Sequence, residues 1–270
     1  MNPFRRLAVA MAFTFFAALP ISSIASSSTD FTDLWWNPSE SGWGVTITQN
    51  SDVLFLTFFV YGADGKPYWV TATANYMGTS PNGLLVFTGD LYETSGPWLG
   101  GQFNAALVNA HKVGTVSFYG QYIEAGQLSY TVNGTTVYKQ IERQLLREEN
   151  LSGSYYVANV GTTYDCTNPA ANKTAQVVFD MTIQQNNQAI TITFTDGSTT
   201  SCTAQGTYWQ AGRMGDIQAT EVCANGVTET LHFYEIESTQ KGFTARYVQH
   251  GSLPGGQSCS ATGVLAGVRR

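Results

Sequence analysis

The segment Val53–Met77, "VLFLTFFVYGADGKPYWVTATANYM", decides the fold. Its first ten residues are almost wholly apolar, β-branched or aromatic, which is typical of a strand covered on both faces. Asp64 and Gly65 then supply a pair that accepts the positive φ angles of a tight hairpin turn. A second strand-like run returns from Tyr68. The segment therefore predicts a β-hairpin at the centre of an antiparallel sheet.

Strand-like runs bounded by turn residues recur through the rest of the first half. In Gly42–Asn50, "GWGVTITQN", alternate residues are apolar, as in a half-buried strand. Almost no segment shows the 3.6-residue period of an amphipathic helix. Five other predicted strands bring the number of strands in the first half to eight. They are Leu34–Trp36, Leu84–Glu93, Val113–Tyr119, Gln127–Val132 and Thr135–Glu142.

A second set of predicted strands begins after Leu151. The charged segment Ile141–Asn150, "IERQLLREEN", is interpreted as the last strand of the first half running into a solvated linker, with a short helix as the alternative. Eight further strand-like runs follow it, at residues 153–159, 175–185, 188–197, 201–210, 216–223, 227–237, 242–250 and 259–268.

This organisation predicts an all-β protein with two domains. Sequential strands joined by short turns favour an up-and-down meander, and eight such strands close naturally into a barrel. We therefore expect two tandem eight-stranded antiparallel β-barrels, a Trp-rich one over residues 30–147 and a Cys-containing one over residues 151–270. Two β-sandwiches built from the same strands are the alternative.

The N-terminal residues 1–25 read as a signal peptide. Arg5 and Arg6 precede an uncharged apolar run of 15 residues, Leu7–Ile21, and small residues follow it at a cleavage-type position. The run is shorter than the roughly 20 residues that span a bilayer, and no later segment reaches that length. We expect an exported protein, periplasmic or secreted, without a transmembrane helix.

The charge argues against nucleic acid as a partner. The whole chain carries 13 Lys and Arg against 19 Asp and Glu, a formal charge of −6, and loss of the two leader arginines would take it to −8. No basic run is present to supply affinity for phosphates.

Cysteine occurs only in the second half, and its even number in an exported chain predicts two disulfides. If successive strands alternate in direction, all four cysteines lie at one end of the second barrel. A hairpin that turns near residues 211–214 would place Cys202 opposite Cys223, and Cys166 would meet Cys259 across the closing seam. The alternative pairs Cys166 with Cys202 and Cys223 with Cys259.

Residues suited to catalysis are scattered. The sequence contains no H-E-x-x-H, G-x-S-x-G or P-loop motif, and His111, His232 and His250 are far apart. We interpret each histidine as structural or exposed. The sequence thus favours a binding protein over an enzyme, and we expect no catalytic residue, no cofactor and no metal site.

Aromatic residues point to the first barrel as the binding domain. It holds five of the six tryptophans, and indole rings offer large flat faces for stacking on sugars, apolar molecules or protein grooves. In Trp35–Gly44, "WWNPSESGWG", the two adjacent indoles point to opposite faces of a strand. A polar loop follows, which either closes the barrel end or contacts a ligand. The candidate ligand-binding residues are Trp36, Asn37, Glu40, Ser41, Trp43, Tyr61 and Trp69.

These residues also carry a resemblance. The W-W-N-P and E-S-G-W-G elements, followed by F-x-Y-x-x-D-G-K-P-x-W over Phe59–Trp69, resemble a segment of about 40 residues that recurs in exported proteobacterial proteins. That group has no settled activity, so the resemblance implies an exported bacterial protein and transfers no catalytic residue. A fainter likeness to avidin-type barrels rests on the aromatic pair and Asn37 before a polar loop, from which Pro38 and Trp43 depart.

Three functions follow from these observations. The first is a non-enzymatic module whose first barrel holds a small apolar or sugar-like ligand between Trp36, Trp43, Tyr61 and Trp69. The second is a cell-envelope protein with filled barrels that contacts another protein. The third, a hydrolase or inhibitor, lacks a visible cluster of catalytic groups. We expect the first.

Overall fold

The computed structural model describes residues 29–121, 123–195, 201–253 and 256–270. The predicted signal peptide, residues 1–25, lies outside the described residues. Within those ranges the chain is all-β, with single-turn 3-10 helices at Pro38–Glu40, Ala105–Leu107 and Pro169–Ala171. None of the helices found there has the length and apolar character needed to cross a membrane.

The first barrel is closed and antiparallel throughout, with each strand paired to the next and the last paired to the first. The closing seam pairs Trp35 with Arg143. Its strands are β1 (Asp33–Trp36), β2 (Gly44–Asn50), β3 (Val53–Tyr61), β4 (Pro67–Thr79), β5 (Leu85–Ser95), β6 (Asn109–Gln121), β7 (Ala125–Val132) and β8 (Thr135–Arg143).

Aromatic rings fill the interior of the first barrel. Trp35, Phe58, Phe87 and Phe118 are fully buried, and the ring of Phe118 lies 5.5 Å from that of Trp35 in an edge-on arrangement. The Trp35 indole N–H donates to the Phe31 carbonyl at 2.9 Å, so this buried polar group is satisfied. Each such ring contributes about 2 to 3 kcal/mol by its burial. The first barrel is therefore a packed core.

The second barrel repeats the same topology, and its seam pairs the last strand with the first. The prediction of two tandem eight-stranded meander barrels is confirmed. The strands are β9 (Gly153–Tyr164), β10 (Thr174–Asn186), β11 (Ala189–Thr195), β12 (Ser201–Ala211), β13 (Met214–Cys223), β14 (Thr228–Thr239), β15 (Gly242–Leu253) and β16 (Gln257–Arg269).

Two disulfides lie at one end of the second barrel, which we call the disulfide end. Cys202 bonds to Cys223 across β12 and β13, and Cys166 bonds to Cys259 beside the β9–β16 seam. The nested pairing is confirmed, and the alternative pairing is wrong. The reason is the register of the β12–β13 hairpin, in which Cys202 lies directly opposite Cys223.

At the end of the second barrel opposite the disulfide end, the β12–β13 turn contacts the first barrel. Asp33 of the first barrel accepts hydrogen bonds from the Arg143 side chain and from the backbone N–H of Arg213, both at 3.0 Å. The Arg213 side chain also reaches Asp30 at 2.6 Å. Arg143 is fully buried over the ring of Trp35, so its partner carboxylate offsets a charge removed from water.

Candidate ligand-binding site

The core of the second barrel is packed in the half that contacts the first barrel. There Tyr155, Met181, Ile217 and Phe243 are buried in its core. Toward the disulfide end the interior opens into a cavity of about 510 Å³. Its described lining is Asn159, Val177, Val178, Phe179, Phe194, Cys202, Glu221, Leu231, Phe233, Tyr247, Gln249 and Leu265.

Glycines explain how Tyr247 fits across this space. Gly161 and Gly263 lie directly opposite each other on β9 and β16. A Cβ atom on Gly161 would collide with the Tyr247 hydroxyl, and one on Gly263 would lie 2.8 Å from its ring. The two missing side chains therefore let a long aromatic residue lie against the wall while the rest of the cavity stays open.

Four polar side chains converge in this mostly apolar cavity. Gln249 donates its amide N–H to Glu221 at 3.3 Å. Asn159 donates to the Tyr247 hydroxyl, also at 3.3 Å. The Asn159 Oδ1 atom is buried and receives no hydrogen bond from any described residue. Because a buried acceptor without a donor costs free energy, a molecule that donates to this atom would recover part of that cost.

Glu221 and Glu229 form a carboxyl pair at the same level. They lie directly opposite each other on β13 and β14, so both side chains project from the same face of the sheet. Burial, together with the negative charge of Glu229, raises the pKa of Glu221 from its ordinary 4.5 to about 7. Burial also raises the pKa of Glu229. The described lining of the cavity contains no Lys, Arg or His.

A metal site does not follow from this group. The Glu221 carboxylate and the sulfurs of Cys202 and Cys223 lie within 4.8 Å of one another. The two sulfurs are joined in a disulfide, however, and thiolates are what bind zinc.

Most of the predicted ligand-binding residues in the loop between β1 and β2 make contacts within the first barrel itself. The Asn37 side chain caps the 3-10 turn by accepting from the backbone N–H of Ser39 at 3.0 Å. Glu40 accepts from the Trp43 indole at 3.0 Å and from Lys139 at 2.6 Å, and the Lys139 ammonium lies over the Trp43 ring. Ser41 is exposed. The structure thus brings Glu40 and Trp43 together at one end of the barrel, where Lys139 joins them.

The other three predicted residues lie on the outside of the first barrel. Trp69 on β4 is directly opposite Phe59 on β3, and their exposed fractions are 51% and 56%. Tyr61 is exposed two positions further along β3. Trp36 is on the outer side of β1, with its indole nitrogen buried and without a described partner. The predicted residues therefore do not enclose a cavity inside the first barrel, whose core is packed.

Sequence reasoning missed the cavity residues of the second barrel, although one signal was present. In Asp216–Cys223, "DIQATEVC", alternate residues Ile217, Ala219, Glu221 and Cys223 share a face. An acidic residue on the apolar face of a strand is unusual and indicates a buried polar site.

A second polar cluster lies on the outer wall of the second barrel. His232 Nε2 is 2.8 Å from an oxygen of Asp216, which is almost fully buried. Burial raises the pKa of Asp216, while the His232 hydrogen bond lowers it. The described residues that line the adjoining groove include no Ser, Cys or Lys. His232 is thus held by an acidic partner on the barrel wall.

No family model, curated protein or solved structure significantly matches this chain. The functional assignment therefore depends on the geometry of the site itself.

Proposed function

We propose that this protein is an exported binding protein, and that it holds a small, mainly apolar molecule in the cavity at the disulfide end of its second barrel. The leader-like N-terminus and the two disulfides support export. The proposal keeps the ligand class expected from the sequence but assigns the site to the other barrel.

The observation that carries the proposal is the composition of the cavity. Apolar side chains form most of its wall, and a few polar groups converge on it, which is the usual character of a small-molecule site. The volume of about 510 Å³ suits a compact organic molecule. The interior of the first barrel is instead filled by Trp35 and its neighbouring rings.

The uncharged dye N-phenyl-1-naphthylamine tests this assignment, because its fluorescence rises in apolar sites. We expect the mature protein to bind it with a saturable increase in fluorescence. Val177→Trp places an indole in the cavity and should weaken binding by about ten-fold or more.

The matched control is Val222→Trp, at an exposed position on the outer side of β13. This variant should bind the dye as the wild type does. Absence of saturable binding by the wild type, or equal loss in both variants, would contradict the proposed function.

A second candidate function is stacking on the outer wall of the first barrel. Phe59 and Trp69 are adjacent and half-exposed, with Tyr61 beside them, and such a group suits the apolar face of a sugar ring. We expect Trp69→Ala to abolish any fluorescence change that soluble glycans cause, whereas Trp209→Phe should keep it. A glycan response that persists in Trp69→Ala would exclude this surface.

A further inference from the structure

We infer that the cavity of the second barrel selects a protonated organic amine, held by Glu221 with Glu229 beside it while its apolar body occupies the remaining space. The inference rests on the proposed function, because it specifies the ligand class of the same cavity.

The first argument is the hydrogen-bonding character of the wall. The Glu221 carboxylate and the unpartnered Oδ1 of Asn159 are acceptors that line the cavity, whereas the Tyr247 hydroxyl already accepts from Asn159. Gln249 already donates to Glu221. A ligand that satisfies these atoms has to bring donors, and an ammonium group has three and no acceptor.

The second argument is charge. Glu221 is only 7% exposed, and its direct cross-strand neighbour is Glu229. The described residues that line the cavity include no cationic side chain. Like charges directly opposite each other destabilise a sheet, so a bound cation would relieve both their repulsion and the cost of burial. An anionic ligand would increase both.

The third argument is the aromatic wall. Phe179, Phe194, Phe233 and Tyr247 line the same space as the carboxyl group. Aromatic faces attract cations as well as apolar groups. A bare metal ion would gain little from such a wall, since Ca²⁺ needs six to eight oxygen ligands. An amine with an apolar body matches both halves of the site.

The test compares three competitors that share one chain and differ in the head group: octylamine, octanol and octanoate. Each is titrated at pH 8 against N-phenyl-1-naphthylamine bound to the mature protein. We expect octylamine to displace the dye at about ten-fold lower concentration than octanol, and octanoate to be the weakest.

Glu221→Gln should remove this preference for octylamine, measured as the ratio of the octylamine and octanol concentrations that displace the dye, because the amide keeps the shape of the side chain but carries no charge. The matched control is Glu142→Gln, which also removes one negative charge but lies exposed on the outside of the first barrel. The control should keep the preference.

The outcomes separate the two proposals. Failure of the dye to bind would overturn the proposed function and with it this inference. Normal dye binding with equal displacement by octylamine and octanol, or a preference that survives in Glu221→Gln, would overturn the amine inference alone. Displacement by millimolar CaCl₂ that Glu221→Gln abolishes would also overturn it, in favour of a metal site.

Discussion

Glu221 shows how a single residue links the stability of the barrel to its interior chemistry. Its carboxyl group lies among apolar side chains, opposite a second acid and near one amide donor. Such burial disfavours the charged form, so the folded protein retains a proton that the unfolded chain releases. Keeping the Glu221 carboxylate charged inside the barrel therefore lowers the free energy of unfolding of the folded protein.

A pH-dependent stability follows from this residue. The pKa of Glu221 is raised from 4.5 to about 7 on folding, so the folded state binds the extra proton between these values and loses stability as pH rises through them. Glu221→Gln should reduce the fall in unfolding free energy between pH 5 and pH 8 by about 2 to 3 kcal/mol. Urea unfolding at both pH values measures this. Equal falls in the two proteins would show that Glu221 does not titrate in this range.

Adjacent residues in the sequence show which features could be predicted at this scale. Strand alternation separates Trp35 from Trp36, and the first is buried in the core while the second lies on the outer side. The alternation gives the direction of a side chain. It does not give the space left around it, which depends on partners from several strands.

At the scale of strands, the hairpin register was predictable because turn chemistry and period 2 fix it together. Placing the β12–β13 turn near residues 211–214 is enough to set Cys202 opposite Cys223. Strand ends were less predictable. β6 begins at Asn109, four residues before the expected Val113, and those added residues are exposed and carry no apolar alternation.

The cavity was not predictable from strand patterns for a related reason. Its openness depends on small residues such as Gly161 and Gly263 meeting across neighbouring strands, and on Tyr247 lying over them. Glycine in a strand reads as a turn or bulge signal when the sequence is taken alone. The tryptophan count favoured the first barrel, but there the large rings fill the core, close an end or lie outside.

The two disulfides should differ in their contribution to stability. Cys202 and Cys223 are 21 residues apart, whereas Cys166 and Cys259 are 93 apart and span the closing seam. A longer closed loop restricts the unfolded chain more. Replacing both cysteines of a pair by Ala should therefore cost about 3 kcal/mol for the short loop and about 5 kcal/mol for the long one. Urea unfolding without reductant measures both costs. A larger loss from the short loop would contradict this account.

At the scale of the whole molecule, the barrels are connected by charge as well as by the chain. The turn between β12 and β13 brings Arg213 to Asp33 and Asp30 of the first barrel. Trp209 on the same hairpin donates its indole N–H to Glu124 of the first barrel at 2.9 Å. One hairpin of the second barrel thus carries contacts to several parts of the first.

Gly212, at the tip of this hairpin, provides a test of that connection. Its φ is +57°, and an added Cβ atom would collide with the Asp33 carboxylate and lie 2.8 Å from Arg143. Gly226 is the matched control, since its φ is +85° but an added Cβ would meet nothing within 4 Å.

Both Gly→Ala changes force a residue with a side chain into the left-handed region, at a cost of about 1 kcal/mol. Gly226→Ala should show only that cost. Gly212→Ala should add the collision at the barrel contact, for a total of about 3 kcal/mol, and should separate the unfolding of the two barrels into distinct calorimetric transitions. If both variants lose the same stability and unfold in the same number of steps as the wild type, the hairpin tip does not couple the barrels.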